Sequence, residues 1–457
     1  MFFMLFYIQI HILEGISMAR QELLEHFIRD REENGAATEA AIRAHRMGDI
    51  SLHITDENGA PVEGATVTIR QTSHAFKIGA NIFMLDGFES EEKNEAYKER
   101  FLSAFNMATV PFYWNTLEPE QGNPRYEVDS PYIYRRPTPD ACIAFCEEHG
   151  LEPREHALAY EQHFPKWLSG MPVEQVKELL EARFAEIARR YAHRIPNIEV
   201  TNEMFWDNGI TTFYFAPDFL PWCYEMAQKY FPNNCLGFND NWCWRSDSIS
   251  GWGPSYLQVE KLLNMGTRID QYGMQFHMFF TREEEARRIR EKHLYEPAHL
   301  RAVMDAYAKL IPHLSITEIT IPSYSWEPED EQFQADVIEY LYTTWFAHPA
   351  VDQIIYWNLV DGYGWNAQPG EMQKGENYYH GGLLRFDLSP KPAYERICYL
   401  FGEKWRTNET LISAGGDIAC RGFYGDYEVT ITYGDKTVTQ KLTLDKAAGS
   451  CHVDIQV

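Results

Sequence analysis

The segment VEQVKELLEARFAEIARRYAHRIPNIEVTNE (173–203) sets a long helical pattern, 173–194, directly before a short apolar run that ends in Asn202-Glu203. The same alternation recurs on both sides of it. FKIGANIF (76–83), MATVPF (107–112), PREHALAY (153–160), NIEVTNE (197–203), CLGFND (235–240), QYGMQFH (271–277), LSITEIT (314–320) and QIIYWNL (353–359) read as strands with helical stretches between them. Short strands alternating with longer helices are the mark of βαβ units and a parallel sheet. Eight strands over residues 75–407 suit a closed (β/α)8 TIM barrel, in the α/β class, better than an open sheet. In such a barrel the chemistry belongs at the C-terminal ends of the strands. Polar residues gather there: His156, Asn202-Glu203, Asn239-Asp240, Gln275 and His277, Glu318, and Trp357 with Asp361.

Outside the barrel the pattern changes. Residues 19–33 read as a charged amphipathic helix within an N-terminal extension, 1–47. SLHIT (51–55) and ATVTIRQ (65–71) alternate apolar and polar residues as half-buried strands do, and DYEVTITY (426–433), TVTQKLTL (437–444) and CHVDIQV (451–457) repeat that style. Neither set has enough strands to fold alone. One small β-sandwich built from both termini, 48–74 and 408–457, satisfies both. The apolar run FFMLFYIQIHIL (2–13) lacks a basic start and a small-residue cleavage site, and it is too short to span a bilayer. Residues 1–17 read as a start-site artefact or a buried extension and the protein as cytoplasmic, with secretion the alternative if that segment serves as part of a signal peptide.

Composition excludes some functions. With 67 acidic and 41 basic residues the net charge is −26, a field that repels nucleic acid and disfavours polyanions as the main substrate, while a neutral carbohydrate fits. No membrane partner is implied. The eight cysteines form no Cys-x-x-Cys pair, and Cys142 and Cys146 read as small core residues. Unpaired thiols agree with a reducing compartment. No metal or cofactor is implied: His-Glu-x-x-His and phosphate-loop motifs are missing, and the Gly362, Gly364, Ala367 fingerprint lacks its helix and acidic partner.

Cleaving a glycosidic bond takes two carboxyl groups, one to protonate the leaving oxygen and one to attack carbon or activate water. Glu203 and Glu318 close the fourth and seventh strands, from which their side chains can converge over the barrel mouth. Around them the sequence resembles glycoside hydrolase family 10, the xylanase family. NIEVTNE resembles that family's acid/base segment, which implies Glu203 as acid/base and Asn202 as the partner of the sugar 2-hydroxyl. ITEIT (316–320) resembles its nucleophile segment, implying Glu318. MQFH (274–277) resembles the strand whose Gln and His contact sugar and nucleophile, here Gln275 and His277. HALAY (156–160) resembles the third-strand histidine segment with His156. WNLVDGYGW (357–365) resembles the loop that sets Trp357 and Trp365 against the sugar, and KPAY (391–394) the closing helix. A separation of about 5–5.5 Å between the carboxyls would imply a covalent intermediate and retained configuration. On this reading Glu203 keeps its proton through partial burial and the nearby charge of Glu318. Glu318 stays ionised with His277 as its donor.

The resemblance breaks on the second and third strands. Thr109, Val110 and Tyr113 stand where the family has an acidic residue, an Asn and a Lys. Tyr160 stands for its Trp, Glu161 for its His, and Thr320 for the Asp beside the nucleophile. Tyr113 and Tyr160 therefore become the candidate sugar contacts on the non-reducing side. The segment 123–137, with Tyr126, Tyr132 and Tyr134, reads as an aromatic wall or a packed loop, and Asn115 or Arg135 as substitute donors. The leading expectation is a retaining β-glycoside hydrolase, an endo-β-1,4-xylanase-like enzyme on xylan or xylo-oligosaccharides. Two alternatives remain: the same mechanism on another β-linked carbohydrate, and a non-catalytic sugar-binding protein.

Overall fold

The computed structural model describes residues 2–292 and 294–457, with side chains for 18–290 and 294–457. It begins with one helix, α1 (Phe2–Arg46), which extends the helix expected at 19–33 in both directions. No proline interrupts this stretch, and Gly35 in its interior costs about 1 kcal/mol relative to alanine, which tertiary packing offsets. Ala19, Leu23 and Phe27, four residues apart, are buried against the barrel's outer helices, with Phe27 stacked on Tyr340 at 5.0 Å. At the other end, buried Arg46 donates to the carbonyls of Phe346, His348 and Val351 at 2.6–2.7 Å. Whether the 2–13 run is buried lies outside the described residues. Among those described, no helix is long and apolar enough to cross a membrane.

Two strands follow, β1 (Met47–Thr55) and β2 (Thr66–His74), and then the barrel. Its strands are β3 (Lys77–Asn81), β4 (Met107–Pro111), β5 (Glu152–His156), β6 (Asn197–Asn202), β7 (Cys235–Asp240), β8 (Gln271–His277), β9 (Leu314–Thr320) and β10 (Val351–Tyr356). They pair in sequence order, all parallel, and β10 closes on β3. All eight lie where the sequence predicts a strand. Helices on the outside and side chains within bury both faces, which is why these strands read as near-continuous apolar runs.

The chain ends in β11 (Asn408–Ile412), β12 (Asp417–Phe423), β13 (Gly425–Tyr433), β14 (Lys436–Leu444) and β15 (Ser450–Gln456). They join β1 and β2 in two sheets, ordered β12-β1-β15 and β11-β2-β13-β14. Ile50, Leu52 and Ile54 from the first sheet share a buried apolar cluster with Val67, Ile69, Val429 and Ile431 from the second, all at most 1% exposed. Every second residue faces inward, the pattern that period-two alternation encodes.

Candidate active site

A cleft of about 810 Å³ opens at the C-terminal ends of the barrel strands. Each strand contributes a residue near or just past its end: Phe83, Tyr113, His156, Glu203, Asn241, His277, Glu318 and Trp357. The cleft brings together all ten residues singled out from the sequence: Glu203, Glu318, Asn202, His156, Gln275, His277, Trp357, Trp365, Tyr113 and Tyr160.

Glu318 lies within β9 and is 2% exposed. One carboxylate oxygen accepts from Asn239 Nδ2 at 2.7 Å and Gln275 Nε2 at 3.0 Å, and the other lies 3.2 Å from His277 Nε2. Burial pushes this carboxyl up to about 8, with Glu199 and Glu203 adding to the effect and His156 and Arg154 opposing it. The three nitrogen groups act the other way, because hydrogen bonds to the charged form favour it. Burial also lowers His277 to about 4, so its ring is neutral near pH 7. Thr320 Oγ1 sits 3.0 Å from His277 Nδ1. With the hydroxyl donating to Nδ1, the ring proton is on Nε2 and points at the Glu318 carboxylate. A threonine thus stands beside His277 where the family pattern has an acid, and its hydroxyl, able to donate or accept, follows the tautomer that the Glu318 carboxylate selects.

Glu203 follows β6 in the left-handed region, at φ 50°, a conformation that costs about 1–3 kcal/mol for a residue with a side chain. It is half-buried and so more open to water than Glu318. Its Oε2 accepts from Tyr160 Oη at 2.5 Å and Gln162 Nε2 at 3.1 Å. Burial, with the Glu203 charge beside it, holds the Tyr160 phenol well above its ordinary value, so it remains a donor. Of the two carboxyls Glu318 is the more deeply buried.

Asn239 ties the two carboxylate strands together. Its Nδ2 donates both to Glu318 and, at 2.9 Å, to Asn202 Oδ1, which also accepts from Gln275 Nε2 at 3.0 Å. That leaves Asn202 Nδ2 without a protein partner among the described residues. Gly273 on β8 makes room for this network, since a Cβ there would collide with Asn239 Oδ1.

On the opposite wall His156 commits both ring nitrogens to the protein, to Tyr113 Oη and Glu199 Oε1, each at 2.8 Å. Glu199 also pairs with Arg154. Burial raises Glu199, but His156 and Arg154 outweigh it and hold the carboxyl below its usual range. The ligating atoms of His156, Glu199 and Glu318 lie within 4.8 Å of one another, the spacing of a metal site. Arg154 and His156 already occupy the Glu199 oxygens, so a cation would have to displace a guanidinium.

Some site residues were not assigned from sequence. Asn239 was noted as a polar strand end but given no role. Gln162 carries no motif. Glu376, which accepts from Trp357 Nε1 at 3.1 Å and Asn358 Nδ2 at 2.6 Å, lies far along the chain from any barrel strand. Two stretches that the resemblance left open are placed by the structure. Val110 is buried in the barrel core and does not line the cleft, because Tyr113 is the residue of that stretch that reaches it. The 123–137 segment contributes Arg135 to the cleft wall, with Arg136 next to it, rather than its tyrosines: Tyr126 is buried under Arg190, and Tyr132 is exposed.

A parallel eight-stranded barrel whose mouth holds two glutamates, each in its own hydrogen-bond shell, has the architecture of a (β/α)8 glycoside hydrolase. The chain belongs to glycosyl hydrolase family 10, whose sequence profile matches residues 72–399. Xylanase 10B from Thermotoga maritima is similar in fold, with a TM-score of 0.57 at 23% identity over 72% of this chain and 96% of that one. Xylanase 10B from Thermotoga petrophila, solved in complex with xylobiose, gives 0.56 at 21% identity over 72% and 95%. Among curated proteins the chain is 23% identical to the anti-sigma-I factor RsgI6 of Acetivibrio thermocellus, over 90% of this chain and 48% of that protein. It is also 23% identical to endo-1,4-beta-xylanase 2 of Arabidopsis thaliana, over 90% and 34%. The chain thus spans about a third to a half of the length of these curated relatives.

Proposed function

We propose that the chain is a retaining β-glycoside hydrolase that cleaves β-1,4-linked, xylan-like chains by double displacement, with Glu318 as nucleophile and Glu203 as acid/base. The observation that carries this is the contrast between two carboxyls in one cleft: Glu318 buried under three nitrogen donors, Glu203 half-buried beside a phenol and an amide. In the first step a Glu318 oxygen bonds to the anomeric carbon. The bond to the leaving oxygen breaks, and Glu203 gives that oxygen its proton. In the second, Glu203 takes a proton from water, whose oxygen displaces Glu318 from the same carbon. Asn202 Nδ2, held outward by Asn239 and Gln275, is the donor for the sugar 2-hydroxyl. The names of the relatives support xylose-based chains as the substrate class. All eight cysteines are free, which supports a reducing, cytoplasmic location.

A second reading keeps the mechanism and changes the sugar. It is favoured by Tyr113, whose hydroxyl is bound to His156 where the family pattern offers a lysine. The test is proton NMR of the first product formed from xylohexaose. A β-anomer appearing before mutarotation is expected; an initial α-anomer would overturn the retaining mechanism. Hydrolysis of another β-linked oligosaccharide in preference to xylohexaose would favour the second reading.

A further inference from the structure

The cleft wall that departs from the family pattern carries a cation with no counterion among the described residues. Arg136 is 8% exposed and lines the cleft. Its hydrogen bond among the described residues runs from Nη1 to the Arg135 carbonyl at 2.8 Å, and its Nε is buried without a partner. No carboxylate of the described residues pairs with it. Its guanidinium lies over the Tyr113 ring at 4.1 Å and the Phe83 ring at 5.2 Å. Burial lowers it only to about 10, so it is charged at neutral pH. Beside it, Arg135 donates to Glu376 at 3.1 Å and Asn358 at 2.7 Å, and its Nε is also buried without a partner. The two arginines and Glu376 together carry one uncompensated positive charge.

A buried cation without an anion is costly unless carbonyls take up its N–H groups, as they do for Arg46, whereas Arg136 has one such bond and an unpartnered Nε. Aromatic faces under Arg136 offset part of the cost, but they do not use its remaining N–H groups. Those groups belong to a wall that reaches the acid/base through touching side chains: Arg136 covers Tyr113, Tyr113 packs against Tyr160 at 6.0 Å, and Tyr160 donates to Glu203. We propose that Arg136, flanked by Arg135, is a subsite for one acidic group on the sugar held against Tyr113, a uronate carboxylate or a sulfate ester. A planar guanidinium fork suits either anion. This rests on the reading of the cleft as a sugar site. The overall charge of −26 disfavours a polyanion but not a single acidic substituent. The diffuse field is screened over about 8 Å at physiological salt, and a contact ion pair in a dry wall is not.

The test compares isosteres on the full-length protein by calorimetric titration: methyl β-D-glucuronide and methyl β-D-glucoside 6-sulfate against methyl β-D-glucoside. One acidic ligand is expected to bind at least about tenfold tighter than the neutral one, and which of the two does so identifies the anion. The advantage is expected to persist at raised salt and to collapse to about one in Arg136→Met. Equal binding of acidic and neutral ligands by the unaltered protein, or an advantage that survives in folded Arg136→Met, would overturn the inference. Either result alongside ordinary hydrolysis of xylohexaose leaves the glycosidase reading intact. Failure to bind or hydrolyse any sugar would instead remove that reading and this inference with it.

Discussion

The two walls of the cleft are built differently. On one side Asn202, Asn239, Gln275, His277 and Glu318 all lie within strands β6 to β9, locked by barrel pairing and by bonds to one another. On the other, Tyr113, Arg135, Arg136, Tyr160 and Gln162 follow β4 and β5 on connecting segments. The strand-borne wall keeps the family pattern apart from Thr320, and the loop-borne wall abandons it. Chemistry at the anomeric carbon tolerates little displacement, so its groups sit on the most rigid elements. The shape and charge of the sugar can vary, and loops accommodate that variation without disturbing the barrel.

That division implies unequal costs. Glu318→Ala should lower kcat by roughly four or more orders of magnitude on every substrate, since it removes the group that forms the covalent bond. Tyr113→Ala should act mainly through KM and by an amount that differs between substrates. If Tyr113→Ala removed turnover as completely as Glu318→Ala, the separation of chemistry from selectivity would be wrong.

Asn239→Ala comes next in size. It deletes a donor to the buried carboxylate, a charged hydrogen bond contributing about 1.5–3 kcal/mol, so kcat/KM should fall roughly tenfold to a hundredfold. With the anion less supported, Glu318 becomes harder to ionise, and the acid limb of the kcat/KM profile should move to higher pH. Gln162→Ala, on the loop-borne wall, should leave that limb in place. Equal shifts in both variants would merge the two walls into one electrostatic unit.

The same contrast explains what could be read from the sequence. The eight barrel strands were legible because burial on both faces leaves short apolar runs between helices. Glu203, Glu318 and their strand neighbours were legible because each motif is contiguous along a strand. Arg135, Arg136 and Glu376 were not assigned as a group, since their meeting depends on how two long loops fold back, and nothing local encodes it. Nor was Asn239 given its role, which depends on a neighbouring strand and on the space left by Gly273. At the periphery, β11 and β12 were missed: β11 is almost wholly exposed and lacks apolar alternation. The full length of α1 was obscured because the apolar run 2–13 and the charged stretch 19–33 look like separate segments.

A smaller effect concerns stability. Glu318 is raised from 4.5 to about 8 by burial. A carboxyl raised in the folded state contributes stability that is fully present below the unfolded value and is lost as pH rises through the folded one. Glu318→Gln should therefore melt higher than the unaltered protein at pH 8–9, with the gap closing towards pH 4.5. A gap independent of pH in Glu318→Gln would mean that burial does not oppose the ionisation of Glu318.

The roles of the two carboxyls are tested most directly by azide rescue on an aryl β-xyloside with an activated leaving group. Glu318→Ala lacks the nucleophile, so azide should enter from the nucleophile's face and give an α-glycosyl azide of inverted configuration. Glu203→Ala still forms the glycosyl-enzyme, so azide should give the retained β-glycosyl azide. The opposite pattern, retained from Glu318→Ala and inverted from Glu203→Ala, would contradict the assignment.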